Sequence, residues 1–590
     1  VISVIIACGF FASSCGSGDS STDVQVVTPR ITSLSATTLS AGDTLNITGS
    51  GFATPASSNT VVFNNSLATV PPFSATDTRL IAVVPQNANS GPLYVTSKGV
   101  KSNAVVVEVD HGVGDVWVMG GGSMVQFKVP VTTGTEEYVI IPESATSSGV
   151  LYPFQVIPDT ASVFPAPPMA PAASNLGTLN LPIRFETSIR EQAIEYLRTH
   201  TPENLEPRPQ ITAAEPPATR QFYVLKCTSC SSTVPGSFAL VTATLQYDGT
   251  HVLIYSDDNQ PTGSFTPAEY AAFGAQFDAD IYPTDTTYFG DPTDIDANTK
   301  VIVLFTPIVN DLTPDGTAFG GFISGFFFVN DLGSFPAGTT NRCEMFYTMV
   351  PDPNAEYGNA FSKALVESVV PGTLAHEFEH MISIGYRLVV LGGGSNFRYL
   401  QQTWLEEGMA HMAEDLNDMD DQNIGRGGLF LQEVSMHSLL GNAELRPYVD
   451  TLEQRGGIFL FLRYLGDQLG DQIFKPMAQG PEVGTATVQK VTEKEFYSSV
   501  ADFLAALYLD DRPGIPHDPK YDYTSFNMQV DFANKLATSV HEVQFGAFAG
   551  NVRSATGSFS SITGAGSPAL DVRVSSGSTS QMRVVVIRTK

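Results

Sequence analysis

Two short stretches of this chain carry residues whose types and spacing could do hydrolytic chemistry. Residues 373–384 read TLAHEFEHMISI. On a helix, His376 and His380 stand one turn apart, while Leu374, Phe378, Met381 and Ile382 fall on the opposite side. Two imidazoles at that spacing can chelate one Zn²⁺, and Glu377 beside them is placed to act as a base rather than a ligand. Only nine histidines occur in 590 residues, so the pattern is rare by chance. The alternative, an ordinary helix with a polar side, leaves both histidines without a packing role.

A third ligand is offered by TWLEEGMAHMAEDL at 403–416. Leu405, Met409, Met412 and Leu416 form its apolar stripe, and Glu407, His411 and Glu414 stand opposite. Thr403 followed by Glu406 fits a capping box, which assigns Glu406 to the helix start and leaves Glu407 as the free carboxylate. Glu407 across from the first helix completes a His₂Glu set with an open fourth position, as catalytic zinc requires. His411, one turn beyond Glu407, is either the third ligand in its place or a partner that orients it.

The elements that must position these residues begin near 220, where strand-like runs (SFALVTATLQYDG, THVLIYSDD, KVIVLFTP) give way after about 360 to helical spacing that persists to 511. Strands first and helices second predict an α+β domain over 220–515. Before it, short β-branched runs with regular turns over 30–110 predict a small β-sandwich. A further small β unit is expected at 111–161, and FPAPPMAPAASNLG opens a Pro-rich linker over 162–219 that includes a short helix, REQAIEYLRTH. The last stretch, 516–590, returns to β alternation and reads as a closing domain. The fold class is therefore multidomain, with Ig-like β-sandwich, α+β catalytic domain and C-terminal β domain.

The residues carry two resemblances. AGDTLNITGSGF, VVFNN and SNAVVVEV resemble immunoglobulin-like IPT/TIG domains, which implies a spacer or binding module without chemistry. HEFEH followed by WLEEGMA resembles the gluzincin zinc peptidases, and FGDPTDIDANTKVIVLFTPIVN, EMFYTMVPDP and GGIFLFLRYLGDQLG resemble the hyicolysin family among them. That resemblance spans about 220–511 and implies a zincin-type domain with His376, His380 and Glu407 as ligands, Glu377 as base and His411 outside the ligand set. The gap of 26 residues between His380 and Glu407 exceeds that of the thermolysin and aminopeptidase types. Gluzincins commonly add a Tyr or His for the oxyanion. Glu453 stands where aminopeptidases place the tyrosine, leaving Tyr448, Tyr464 and His437 as nearby candidates. No GxMEN-like stretch is present to hold a free α-amine, so internal peptide bonds are the expected substrate.

Composition bounds the partners. Net charge is −29, which argues against a nucleic-acid partner. The opening VISVIIACGFFASSCGSGDSSTD resembles the tail of a bacterial lipoprotein signal over 1–14, with Cys15 as the lipidated residue and 15–29 as a tether to the membrane. An envelope protein, lipid-anchored and periplasmic or surface-exposed, is expected. Cys227 and Cys230 in CTSC predict a local disulfide. Asp294-x-Asp296-x-Asn298 resembles half a calcium loop, but Thr299 replaces the glycine and no twelfth-position glutamate follows, so an Asp-rich turn without Ca²⁺ is expected. The rival to a zinc endopeptidase is a surface adhesion lipoprotein with a degenerate zincin domain.

Overall fold

The computed structural model describes residues 27–131, 133–147, 150–158, 181–200, 216–316, 321–441, 451–533, 535–543, 548–563, 569–576 and 581–590. Cys15, Tyr448 and the greater part of the Pro-rich stretch lie outside them. Two compact units are present, one within residues 27–109 and the other built essentially from 110–590.

The first unit consists of two sheets. Arg30–Leu34, Thr44–Ser50, Arg79–Val83 and Ser74–Ala75 make one, while Thr38–Ser40, Val105–Asp110, Gly91–Ser97, Asn59–Phe63 and Thr69–Val70 make the other. Alternate residues such as Leu45 and Ile47, or Leu93 and Val95, are buried, as a strand with one face to a core requires.

In the second unit, a β-sandwich unites two stretches that sequence reasoning separates. One sheet runs Val116–Gly122, Met582–Arg588, Glu137–Ser144, Phe559–Thr563, Val540–Val543; the other runs Met124–Pro130, Ala569–Ser575, Leu151–Pro158, Phe548–Arg553. Strands from 116–158 and from 540–588 thus share both sheets, around a core of Trp117, Phe127, Tyr138, Phe154, Val572 and Val584. The expected small β unit and the expected C-terminal domain are halves of one sandwich. Alternation reveals which face of a strand is buried, and not which strand lies beside it.

The sheet beside the candidate site has six strands: β1 (Thr219–Leu225), β2 (Phe238–Asp248), β3 (Val252–Asp257), β4 (Val301–Phe305), β5 (Gly325–Phe327) and β6 (Met345–Thr348), in the order β1-β2-β3-β4-β6-β5. β3, β4 and β6 are parallel, and β5 closes the edge antiparallel to β6 with Phe326 opposite Tyr347. The continuous burial of VIVLF in β4 marks a central strand covered on both faces.

Five helices build the site: α1 (Leu181–Thr199), α2 (Lys363–Gly385), α3 (Thr403–Leu416), α4 (Asp421–Gln432) and α5 (Leu452–Leu469). Two of them have features that their sequences do not announce. α2 starts at Lys363, capped by the Ser362 side chain accepting from the Leu365 N–H, so Pro371 lies inside the helix and not in its first turn. The proline falls where Glu367 and Ser368 still face solvent, so the carbonyl it leaves unbonded lies on the wet side. α1 is a full 19-residue helix where a linker with a short helix was expected. Among the described residues, no helix is long and apolar enough to cross a membrane.

Candidate metal centre

α2 and α3 lie side by side, and α5 packs closely against α3. Gly408 in WLEEGMA permits this: a Cβ there would meet Ile458 of α5 at 2.3 Å. Gly456 likewise lets α5 approach α4, since a Cβ would meet the Arg426 carbonyl at 2.1 Å. The apolar residues Leu374, Phe378, Met381 and Ile382 are fully buried. His376 and His380 project from the other side, as the helical spacing predicts.

His376, His380 and Glu407 converge. His376 Nε2 lies 3.7 Å from Glu407 Oε2, and His380 Nε2 lies 3.7 Å from Glu407 Oε1. All three residues are buried, and each offers a ligand atom within 4.8 Å of the others. Two imidazoles and one carboxylate at that separation suit a cation held at about 2.0–2.2 Å from each donor. His380 Nε2 is buried without a hydrogen-bond partner among the described residues, a pattern that a cation resolves.

Each histidine has a carboxylate behind it. His376 Nδ1 is 2.6 Å from Glu414 Oε1, whose second oxygen accepts from Asn423 Nδ2 at 3.0 Å. His411 Nδ1 lies 3.0 Å from the same Glu414 Oε1. His411 therefore acts on His376 through Glu414, and not on Glu407 as expected. His380 Nδ1 lies 3.4 Å from Glu406 Oε1 and 3.5 Å from Glu379 Oε2. Here the capping-box expectation fails: the helix has no side-chain cap, and Glu406 is buried and accepts from Ser383 Oγ at 3.0 Å. Thr403 lies one position inside the helix, so its side chain cannot serve as the cap.

Glu377 lines a cavity of about 940 Å³ together with His376, Glu414, Arg426 and Arg455. The backbone N–H of Phe327 on β5 donates to Glu377 Oε2 at 2.7 Å, fixing the carboxylate at the cavity wall. Burial raises its pKa above the ordinary glutamate value, against the pull of His376 and His380.

Glu407 is gripped by two arginines that sequence reasoning missed. Arg190 Nη2 of α1 is 3.0 Å from Oε1, and Arg455 Nη2 of α5 is 3.0 Å from Oε2. Burial works against the charge on Glu407, but Arg455, His380 and Arg190 outweigh it and hold the carboxyl well below the usual range. For His376, burial opposes protonation, yet Glu407 and Glu414 prevail and hold its pKa well above the ordinary value. His411, by contrast, is driven down to about 3 by burial, and so is neutral.

Neither described candidate for the oxyanion lines the cavity. Tyr464 donates its hydroxyl to the Lys520 carbonyl at 2.9 Å, a packing role. Burial lowers His437 to about 4, and its nearest charged neighbours are Glu453 and Arg553. Two arginines, Arg426 and Arg455, stand in the cavity wall, and Arg455, in the QRGG segment that begins α5, is the one paired with Glu407.

Away from the centre, Cys227 and Cys230 form the expected disulfide, with Cα atoms 5.3 Å apart, and Cys343 is free and buried. Asp294 and Asp296 lie near Glu344, but their oxygens accept from the Asn298 backbone and side chain, and Glu344 accepts from the Ile295 N–H and Thr293 hydroxyl. This is the hydrogen bonding of an Asp-rich turn.

Comparison with known proteins agrees with part of this picture. Residues 29–135 match the model of the IPT/TIG domain. Over 306 residues the chain is 28% identical to the neutral metalloprotease ShpI of Staphylococcus hyicus, a match covering 51% of this chain and 60% of that protein's length. Among solved structures, an auxiliary nutrient binding protein from Bacteroides thetaiotaomicron is 13% identical over 20% of this chain and 24% of its own, with a TM-score of 0.14. Gamma-CGTase from Alkalophilic bacillus clarkii is 20% identical over 19% of this chain and 16% of its own, with a TM-score of 0.13. These overlaps are too small to bear on the site. The chain thus contains an IPT/TIG domain within a multidomain protein and is distantly similar, over half its length, to a metalloprotease.

Proposed function

We propose that this chain is a zinc-dependent endopeptidase of the gluzincin type, carried on a bacterial cell envelope by a lipid at Cys15, with the IPT/TIG domain as spacer. The observation that carries the enzymatic part is the convergence of His376, His380 and Glu407, with His376 and Glu377 standing in the wall of one cavity. The envelope part rests on the sequence around Cys15 alone.

His376 and His380 through Nε2, with Glu407, would hold the zinc. When bound, the zinc supplies a Lewis acid for the scissile carbonyl and lowers the pKa of water. Glu377 takes the proton from the attacking water and returns it to the leaving amine. Burial raises its pKa above the ordinary glutamate value, the direction that a group carrying a proton in transit requires. The Phe327 N–H holds one Glu377 oxygen, so the carboxylate keeps its aim through the cycle. Arg455 sets a fixed positive charge beside the developing oxyanion, in place of the tyrosine or histidine of related sites. β5 ends the sheet, and Ser324 and Gly325 line the cavity, so an extended peptide has a backbone edge to pair with. Such an edge suits internal bonds.

Zinc content of the purified chain, with casein hydrolysis before and after chelation, tests the proposal. About one zinc per chain and chelator-sensitive hydrolysis are expected; a chain that holds no zinc and leaves casein intact would refute it.

A further inference from the structure

α1 falls in a stretch whose composition is that of a linker, yet it is seated against the metal centre. Ile183, Glu186, Arg190, Ala193 and Leu197 recur at three- and four-residue spacing and form one face. That face carries two charges of opposite sign, one turn apart, and each meets its complement in the site. Glu186 accepts from Arg455 Nη2 at 2.8 Å, and Arg190 Nη2 donates to Glu407 Oε1 at 3.0 Å. Pro182, Ile183 and Glu186 also stand in the wall of the cavity that holds His376 and Glu377.

The docking is incompletely satisfied. Arg190 is buried, but its Nη1 has no partner among the described residues, and neither has the hydroxyl of Thr187 on the next turn. Glu407, Glu406 and Glu186 hold the guanidinium charge against burial, but the unbonded arm leaves the docked contact one hydrogen bond short. A divalent cation held by His376, His380 and Glu407 would face this guanidinium across a few ångströms of buried, weakly screened space. Arg190 and the cation therefore compete for the negative charge of Glu407, just as Glu186 and a substrate oxyanion compete for Arg455.

We propose that α1 is an inhibitory latch. Docked, it engages Glu407 through Arg190 and Arg455 through Glu186, weakening zinc binding and narrowing access to the cleft; undocked, it frees both groups. This rests on the zinc-peptidase assignment. Because coupling between two binding events is reciprocal, zinc must loosen α1 by the factor by which α1 weakens zinc.

Two measurements on the full chain test the latch. The first is the affinity for Zn²⁺ alone, by competition with a chromophoric chelator, for wild type and Arg190→Gln. The latch predicts tighter binding by the variant, about tenfold or more. The second needs no variant: amide hydrogen exchange across residues 181–199 of wild type, which the latch predicts to quicken when zinc is added. Zinc affinity equal or weaker in Arg190→Gln, or exchange in α1 slowed by zinc, would make α1 a fixed support of Glu407 and overturn the latch alone. If neither chain takes up zinc, the zinc-peptidase assignment falls, and the latch with it.

Discussion

Glu414 Oε1 and His376 Nδ1 are 2.6 Å apart, so a buried carboxylate on α3 fixes the ring orientation of a histidine on α2. With Nδ1 committed to Glu414, Nε2 is the nitrogen left for the cation. Outer carboxylates of this kind strengthen a ligand without touching the metal.

Glu414→Gln should therefore weaken zinc binding by about 10- to 100-fold while leaving every ligand in place. Chelator competition measures this directly. An unchanged affinity would show that Glu414 serves only to satisfy His411 and Asn423.

The same logic reverses an expectation made from sequence. The spacing from Thr403 to Glu406 reads as a capping box, which glutamine would still complete. In the structure Glu406 is buried beside His380 Nδ1 and bonded to Ser383. Glu406→Gln should thus reduce zinc affinity measurably, by about tenfold, with little change in helix content by circular dichroism. Full retention of zinc would return Glu406 to a merely structural role.

What was legible, and what was not, follows from the range of each interaction. His376, Glu377 and His380 declare themselves because helical chelation is local, and Glu407 follows from a second local pattern. Arg190 meets Glu407 across 217 residues of sequence, and no periodicity in REQAIEYLRTH announces that contact. Arg455 stands two positions beyond Glu453, and the only local sign of its placement is the pair Gly456 and Gly457, which marks close helix packing. The sandwich reads as two separate units in sequence because a strand's own residues do not name its neighbours. The start of α2 is hard to read from sequence because a proline such as Pro371 favours a first turn, whereas Ser362 caps a helix that tolerates it inside.

Proton release should accompany zinc uptake. Burial opposes a proton on His376, but Glu407 and Glu414 hold it there well above the ordinary histidine range, so binding at Nε2 must displace it. Zinc affinity should fall about tenfold per pH unit on acidification through neutrality. Titration of zinc into weakly buffered protein with a pH indicator should show release of about one proton per chain. A pH-independent affinity would contradict a protonated His376.

Glu143 offers a test of the sandwich. It is fully buried, both its oxygens lack hydrogen-bond partners among the described residues, and burial pushes its carboxyl from 4.5 up to about 8, against the pull of Arg583. Its folded pKa lies above its unfolded value, so its contribution to stability is intact below about 4.5 and is lost as pH rises through about 8. The loss amounts to at most about 5 kcal/mol. Glu143→Gln, which cannot ionise, should raise the melting temperature over wild type far more at alkaline pH than in mild acid. An equal effect at both would show that the carboxylate is compensated when charged.

The central claim is that His376, His380 and Glu407 hold zinc while Glu377 moves the proton. Zinc retained per chain by Glu377→Gln and Glu407→Gln after identical dialysis, with His411→Ala alongside, tests it most directly. The account predicts that Glu377→Gln keeps about one zinc while its peptide hydrolysis falls by a factor on the order of 10² or more. Glu407→Gln should lose metal and activity together, and His411→Ala should keep most of its zinc. If Glu407→Gln stays fully loaded while His411→Ala is empty, the ligand set is wrong and the site must be rebuilt around His376, His411 and Glu414.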